Sequence, residues 1–287
     1  MNPRTSENHK VTIERMTRSE VDVALEWAQK EGWNPGIHDA ECFYHADPDG
    51  FYAAKIDCEI VGTISVVKYS WDFAFEGLYI VKPEFRGRGI GLELQKFALT
   101  ICQDCNLGLD GVLAMQQKYE LDGFRFAYNN TRYIGVISGE VSTRCVPIQR
   151  QDFGEIASFD LQCVAVDRSG FLDCWLFQKD AASMLTRNEV TGKISGYGVI
   201  RKCIQGHKIG PLFADDAKTA ELLFNSLMST VPNELISIDV PQPNIRAAEL
   251  AQKKHMQPAF NTVRMYTKTA PQTQLNKIYG ITTFELG

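Results

Sequence analysis

The residues best suited to chemistry form a glycine-rich run, Arg-Gly-Arg-Gly-Ile-Gly, at positions 86–91, between a predicted strand and a predicted helix. Several backbone N–H groups in such a turn point the same way, at the positive end of the helix dipole, where a phosphate group is stabilised. Glycine suits these positions because it leaves room for the phosphate and tolerates positive φ. The run therefore predicts a phosphate-binding site, with a purely structural turn as the alternative.

The spacing of the glycines separates this run from two common nucleotide-binding motifs. Gly87, Gly89 and Gly91 alternate, and Pro83 lengthens the connection from strand to helix, so the run does not match the dinucleotide-binding fingerprint. It is not a P-loop either, because no Gly-Lys-Ser or Gly-Lys-Thr follows. The glycine pattern alone is common, so the residues around it must decide which ligand it binds.

The longer run of residues 78–91 closely resembles the acyl-CoA-binding motif of the GNAT superfamily of N-acetyltransferases. The resemblance implies acetyl-CoA as the cofactor, with coenzyme A as product. It also implies that the pantetheine arm pairs with the strand backbone, as an added strand would, and that the pyrophosphate lies on the glycines. The residues that the resemblance assigns to acyl-CoA are Tyr79, Ile80, Val81, Arg86, Gly87, Arg88, Gly89, Ile90, Gly91 and Leu92.

The same resemblance gives two further residues catalytic roles. In this superfamily the amine attacks the thioester directly, so the site needs a proton acceptor for the amine and a donor for the departing thiolate. Tyr119 begins a run that matches the family's Tyr-x-x-x-Gly-Phe motif and is expected to be the general acid, unless it only packs. Glu76, at the start of the cofactor strand, is the candidate base, unless it is a solvated charge. His38 and His45 are expected at the surface.

Hydrophobic periodicity and turn residues outline the elements that must position these groups. The first half is expected to contain a strand, helices, three strands, a helix, a strand, a helix and a final strand pair. The expected bounds are a strand at 11–16, a helix at 19–30, hairpin strands at 51–56 and 60–69, a strand at 76–81, a helix from the glycines to about 105, a strand at 111–115, a brief helix at 119 and a strand pair reaching 137.

The second half repeats this order of elements, which divides the chain into residues 1–138 and 139–287. Runs throughout the chain resemble a group of tandem GNAT proteins whose C-terminal half is a divergent acetyltransferase domain. The resemblance implies an α/β (α+β) protein with two tandem GNAT folds, each a mixed, mostly antiparallel sheet flanked by helices. Residues 1–138 would form the acyl-CoA-binding catalytic domain, and residues 139–287 the divergent domain.

The C-terminal copy departs from the active pattern. Asp215 and Asp216 stand where glycines would be needed, and two carboxylates facing a phosphate are unfavourable. Ala251 occupies the position that matches Tyr119. Asn244 resembles a pantetheine-binding asparagine but is also suited to capping a helix. We therefore expect a structural or substrate-shaping domain.

A separate ligand pocket in this half remains an alternative. Its candidate lining residues are Asp167, Arg168, Trp175 and Tyr197. The competing interpretation is that the first two form a structural ion pair and that the tryptophan packs in the core.

The bulk composition limits partners and location. Lys and Arg number 30 and Asp and Glu 35, so the formal charge is 30 − 35 = −5, and no basic run could follow a nucleic-acid backbone. No apolar stretch approaches the roughly 20 residues of a membrane span, and residues 1–6 lack a hydrophobic signal core. The eight cysteines are expected to be reduced, with Cys102 and Cys105 packed in the core rather than on a metal. We expect a cytoplasmic protein without nucleic-acid, membrane or metal partners; its oligomeric state stays open.

The resemblance to the GNAT superfamily implies an N-acyltransferase that moves an acetyl group from acetyl-CoA to a primary amine, on a small molecule or a peptide. The alternative is a non-catalytic acyl-CoA-binding sensor or scaffold. Carboxylates around the first helices fit a small cationic amine slightly better than an acidic acceptor. They are Asp39, Glu41, Asp47 and Asp49.

Overall fold

A computed structural model describes residues 10–287, so the prediction made for residues 1–6 lies outside the described residues. The helices are α1 (Arg18–Lys30), α2 (Asp39–Ala46), α3 (Ile90–Ile101), α4 (Gln116–Leu121), α5 (Phe153–Val164), α6 (Ser169–Leu176), α7 (Ala217–Met228) and α8 (Ile245–Lys253). The strands are β1 (Thr12–Arg15), β2 (Phe51–Ile56), β3 (Glu59–Lys68), β4 (Phe73–Val81), β5 (Asn106–Val112), β6 (Arg125–Ile137), β7 (Cys145–Pro147), β8 (Ala181–Arg187), β9 (Ile194–Lys202), β10 (His207–Ala214), β11 (Glu234–Pro241), β12 (Gln257–Tyr266) and β13 (Ile278–Gly280).

All the described strands belong to one mixed sheet. Its neighbours follow the order β1-β2-β3-β4-β5-β12-β6-β11-β10-β9-β8-β7, and β13 pairs with β10. The pairs β4–β5 and β10–β11 are parallel, and the other described pairs are antiparallel. Helices α3 and α4 pack with the sheet in one apolar core, α7 and α8 in a second, and α1, α2, α5 and α6 share a third. The predicted fold class is confirmed.

Two strands change places between the halves. Strand β12, from the C-terminal half, lies between β5 and β6, and β6, from the N-terminal half, lies between β12 and β11. Each half therefore receives one strand from the other half. The boundary at 138/139 stays a prediction, but the sheet runs across it without a break.

Several element bounds differ from those expected. Helix α3 ends at Ile101 rather than near residue 105, because the chain turns there: the N–H of Cys105 donates to the carbonyl oxygen of Cys102 at 2.9 Å, and Asn106 begins β5. The strand expected at 111–115 is instead β5, and the strand pair expected near 137 is the single strand β6. Asparagine is unfavourable inside a strand, but Asn130 is accommodated within β6. Its side-chain amide donates to Asp110 at 2.8 Å and to Thr262 at 3.2 Å.

Candidate active site

A β-bulge in β4 opens the site. The register between β3 and β4 shifts between Thr63 and Ser65. Leu78, at the bulge, has a φ of +46°, and its carbonyl oxygen accepts a hydrogen bond from Thr63 Oγ1 at 2.7 Å. Strand β4 pairs with β5 over residues 73–76 alone. Beyond that point the two strands diverge and leave an opening in the sheet.

The bulge also decides which way the side chains of β4 point. Before it, Glu76 lies on the face covered by α3, where Gln95 Nε2 donates to its Oε2 at 2.8 Å. After it, Leu78 and Ile80 belong to the core shared with α1, while Tyr79 packs against the core of α3. The opening thus has two mouths, one on the α3 face of the sheet and one on the α1 face.

A cavity of about 600 Å³ fills this opening, hereafter the inter-strand cavity. Both predicted catalytic residues, Glu76 and Tyr119, line it. So do eight of the ten residues assigned to acyl-CoA: Tyr79, Ile80, Val81, Arg86, Gly87, Gly89, Gly91 and Leu92. The other two do not, since Arg88 is exposed and stacks 5.0 Å from the Phe85 ring centroid, and Ile90 is buried in the core under α3. The side chains of Arg88 and Ile90 thus do not line the cavity. We still predict that their backbone contacts the ligand.

The glycine turn, residues 86–91, is open on its outer side. Gly87 and Gly89 have φ values of +76° and +86°, in the left-handed region that favours glycine. A Cβ at either position would meet no atom within 4 Å, whereas one on Gly91 would lie 2.7 Å from the hydroxyl oxygen of Tyr79. Over residues 10–287, no protein acceptor is found for the backbone N–H groups of residues 87–92. Unpaired amides in open space at a helix N-terminus fit the pyrophosphate of acyl-CoA.

Arg86, the first residue of the turn, already has protein partners. Its Nε donates to the carbonyl oxygen of Val81 at 2.8 Å, and its guanidinium pairs with the carboxylate of Glu31. Both partners hold Arg86 at the rim of the inter-strand cavity. Because Glu31 offsets part of its charge, we expect the backbone amides to contribute more to phosphate binding than this side chain.

Glu76 is buried rather than solvated, with 3% of its surface exposed, so the alternative of a solvated charge is wrong. Burial raises its pKa to about 8; the charge of Asp122 adds to the rise, while the hydrogen bond from Gln95 and the charge of Lys118 oppose it. A carboxyl group with this pKa can both hold and release a proton near neutral pH. Glu76 is therefore suited to proton transfer.

Tyr119 both packs and faces the inter-strand cavity. Its ring covers Gly111, where a Cβ would lie 2.2 Å from the tyrosine Cε2, and meets Phe124 edge-on with the ring centroids 6.1 Å apart. Burial raises the pKa of Tyr119, and the charges of Glu76 and Tyr79 raise it further. The hydroxyl group therefore stays protonated and is available as a donor.

The mouth on the α1 face, hereafter the α1-face mouth, is lined by residues that the sequence analysis did not assign to the site. They are Trp33, Phe260, Thr262, Phe284 and Glu285. The last four come from the C-terminal half and reach the cavity because β12 lies beside β5 and because residues 284–285 cross β4. No local sequence pattern indicates such long-range placement.

The corresponding opening in the C-terminal half is filled by the chain itself. Strands β10 and β11 pair in parallel through Ile209 and Ile238, and β13 then pairs with β10. The N–H of Ile281 donates to the carbonyl oxygen of Asp239 at 2.8 Å, and a Cβ on Gly280 would lie 2.9 Å from the Ile238 side chain. Strand β13 thus takes the place that an extended ligand arm would need. This supports the expectation that the half does not bind acyl-CoA.

The residues proposed for a separate C-terminal pocket are mostly in the core. Arg168 pairs with Asp160, at 2.8 Å to each carboxylate oxygen, so the expected ion pair with Asp167 is wrong. Trp175 and Tyr197 are fully buried, which confirms the packing role expected for the tryptophan.

Other residues singled out by the sequence lie away from the cavity. Asn244 caps α8, accepting from the N–H of Ala247 at 3.3 Å. His38 is half-buried and pairs with Asp180 at 2.8 Å, and His45 is exposed. Within residues 10–287, no cluster of three potential ligands could hold a metal ion, and no helix combines the length and apolar character needed to cross a membrane.

Comparison with known proteins places this geometry in a family. Residues 21–117 match the acetyltransferase (GNAT) family, and residues 156–280 match an acetyltransferase (GNAT) domain. The curated relative holothin acyltransferase, from Pseudoalteromonas sp. (strain SANK 73390), is 31% identical over 271 residues, which cover 93% of this chain and 92% of the relative.

Solved structures share the fold over nearly the whole chain. A proposed acetyltransferase from Pyrococcus horikoshii has a TM-score of 0.82 at 21% identity and covers 96% of both chains. A tandem GNAT protein from the clavulanic acid biosynthesis pathway has a TM-score of 0.63 at 12% identity, covering 91% of this chain and 99% of its own. The chain therefore belongs to the GNAT superfamily, as a tandem GNAT acyltransferase.

Proposed function

We propose that this acyltransferase moves an acetyl group from acetyl-CoA to a primary amine of a small molecule or peptide, by direct attack of the amine on the thioester. One observation carries the proposal: the inter-strand cavity joins the open glycine turn, a buried carboxyl group and a protonated tyrosine. When bound, acetyl-CoA supplies the activated acyl group. The similarity to holothin acyltransferase supports acyl transfer as the reaction.

Each group of the chain has one task in this proposal. The amides of residues 87–92 bind the pyrophosphate, and the backbone of residues 79–81, which has no neighbouring strand paired to it on its β5 side, binds the pantetheine arm. Glu76 takes a proton from the amine, and its pKa of about 8 makes it a stronger base for that task, once it is ionised, than a glutamate of ordinary pKa. Tyr119 donates its hydroxyl proton to the departing sulfur.

The lining of the cavity supports direct attack over a covalent intermediate. Among the described residues that line it there is no cysteine and no serine.

All eight cysteines are free thiols, which is typical of a reducing compartment and supports our proposal of a cytoplasmic location.

A thiol-release assay tests the proposal. The protein is incubated with acetyl-CoA and a panel of primary amines, secondary amines and alcohols, and with propionyl-CoA and butyryl-CoA as alternative donors. We expect coenzyme A release that depends on a primary amine and is fastest with acetyl-CoA. Release with alcohols alone would contradict the amine acceptor, and faster release with the longer donors would contradict acetyl transfer.

A further inference from the structure

One carboxylate in the inter-strand cavity has no task in the reaction described above. Glu285 is 2% exposed and lines the cavity. Its Oε2 accepts from the Thr283 hydroxyl, but its Oε1 has no hydrogen-bond partner among the described residues. An unpaired buried carboxylate oxygen is unfavourable, so it points to a partner outside the protein.

Glu285 lies next to the residue that follows Glu76 in β4. The backbone carbonyl of Glu285 lies against Gly77: a Cβ added to Gly77 would be 2.1 Å from that backbone oxygen. Gly77 directly follows Glu76 and precedes the bulge at Leu78, where β4 and β5 diverge. Glu285 therefore stands at the α1-face mouth, across the opening from the hydrogen bond between Glu76 and Gln95.

The other carboxylates at this part of the cavity already have cationic partners. Both oxygens of Asp110 accept from Arg264, with Oδ1 at 2.7 Å from Nε. Glu31 is paired with Arg86. Oε1 of Glu285, in contrast, is buried without a partner among the described residues and can accept a new hydrogen bond without breaking an existing one.

Aromatic rings form the wall next to Glu285. The rings of Phe260 and Phe284 lie 6.1 Å apart, and the Arg132 guanidinium stacks 5.8 Å and 4.9 Å from their centroids. Arg132 also donates to the backbone carbonyl of Trp33 at 2.7 Å and is held by both oxygens of Asp239. The buried Arg132 side chain therefore contacts Trp33, Phe260 and Phe284 together and holds them in place. The two phenylalanines present apolar ring surface beside Oε1 of Glu285.

We propose that Oε1 of Glu285 binds the amino group of the acceptor, and that the acceptor is a primary amine carried on an aromatic body that packs on Phe260 and Phe284. This inference rests on the proposed function and names its substrate class. It also gives the C-terminal half a task, since that half supplies the residues that select the acceptor while the N-terminal half binds acyl-CoA.

A charge-removing variant tests the role of Glu285. With 2-phenylethylamine as acceptor, Glu285→Gln should raise the KM for the amine at least about tenfold, because a charge-assisted hydrogen bond is lost. The KM for acetyl-CoA and the thermal midpoint should stay at wild-type values. Glu249→Gln, the same change at an exposed position on α8, is the matched control and should behave as wild type. An unchanged amine KM in Glu285→Gln would overturn the proposal.

A measurement on the wild type covers the case in which the variant does not fold. In the presence of coenzyme A, calorimetry should show 2-phenylethylamine binding at least about tenfold tighter than 2-phenylethanol, which has a similar shape but no cationic group. Equal affinities would overturn the role of Glu285, and turnover with ethylamine but not with 2-phenylethylamine would overturn the aromatic class. Absence of turnover with every amine would instead contradict the proposed function itself.

Discussion

At the scale of single residues, the burial of Glu76 links turnover to pH. Its pKa is raised to about 8, so below that pH the carboxyl group is mostly protonated and cannot accept the proton of the amine. We expect kcat, measured with both substrates saturating, to rise as pH increases through about 8 and then to level off. Glu76→Gln should lower kcat about 100- to 10,000-fold and remove the inflection.

The control for this profile is an exposed glutamate in the same half. Glu26→Gln changes the same functional group on the solvent side of α1 and should leave the profile intact. An inflection near pH 8 that persists in Glu76→Gln would assign the titration to another group, such as the acceptor amine.

The Tyr119 hydroxyl can be removed without removing the ring. Because the ring packs on Gly111 and Phe124, Tyr119→Phe should keep the fold and the thermal midpoint. We expect kcat to fall about 100-fold while the KM for acetyl-CoA changes less than about twofold, the pattern of a group that acts in the transition state. Steady-state kinetics with saturating amine measure both values. Unchanged kcat would show that the tyrosine only packs.

At the scale of elements, the glycine turn and α3 form one binding unit. Gly89→Glu would place a carboxylate where the pyrophosphate is expected, so acetyl-CoA affinity should fall at least about 100-fold by calorimetry. Gly192→Glu is the matched control, because Gly192 also has a positive φ, +70°, with no atom within 4 Å of a Cβ, but lies in the β8–β9 turn. Normal affinity in Gly89→Glu, or equal loss in both variants, would contradict the phosphate site.

The elements that were predicted correctly are those whose signals are local. The strand, the glycine turn and α3 follow one another in the chain, and Ile90, Leu94 and Ala98 of α3 face one core, so residues 78–101 carry their own signal. The bulge at Leu78 could not be predicted in this way, because its left-handed φ is held by tertiary packing and by the hydrogen bond from Thr63.

Strand β5 shows why other elements were misplaced. Asp110 in its middle is unfavourable for a buried strand, and it is accommodated by pairing with Arg264, 154 residues away in sequence, and by a hydrogen bond from Asn130. Phe260, Phe284 and Glu285 could not be assigned to the site from the sequence for the same reason: they reach it through contacts between residues far apart in the chain. Half of the site was therefore predictable from local pattern, and the half that depends on the exchange of β6 and β12 was not.

At the scale of the whole molecule, the two halves are unequal partners in one structure. The opening between β4 and β5 is free, whereas β13 fills the equivalent opening between β10 and β11. The C-terminal half has thus kept the sheet of an acyltransferase but uses its own chain where a ligand arm would pair. Through β12 and residues 284–285 it instead completes the wall of the other half's cavity.

The exchanged strands are joined by buried ion pairs, and these pairs should control the stability of the whole chain. Arg264 on β12 pairs with Asp110 on β5, and both side chains are less than 10% exposed. Arg264→Met would leave Asp110 buried without its cation, so the free energy of unfolding in urea should fall by about 3–5 kcal/mol. Lys253→Met, which breaks the exposed pair with Glu221, should cost less than about 1 kcal/mol.

A double variant separates the loss of the pair from the loss of packing. Arg264→Met combined with Asp110→Leu removes both charges, so it should recover most of the stability lost in Arg264→Met alone, because no unpaired charge remains.

Since this pair joins strands from the two halves, tryptophan fluorescence and far-UV circular dichroism should report one common transition in every variant. A loss below about 1 kcal/mol for Arg264→Met, or two separate transitions in the wild type, would mean that the halves are held together by apolar packing and unfold independently.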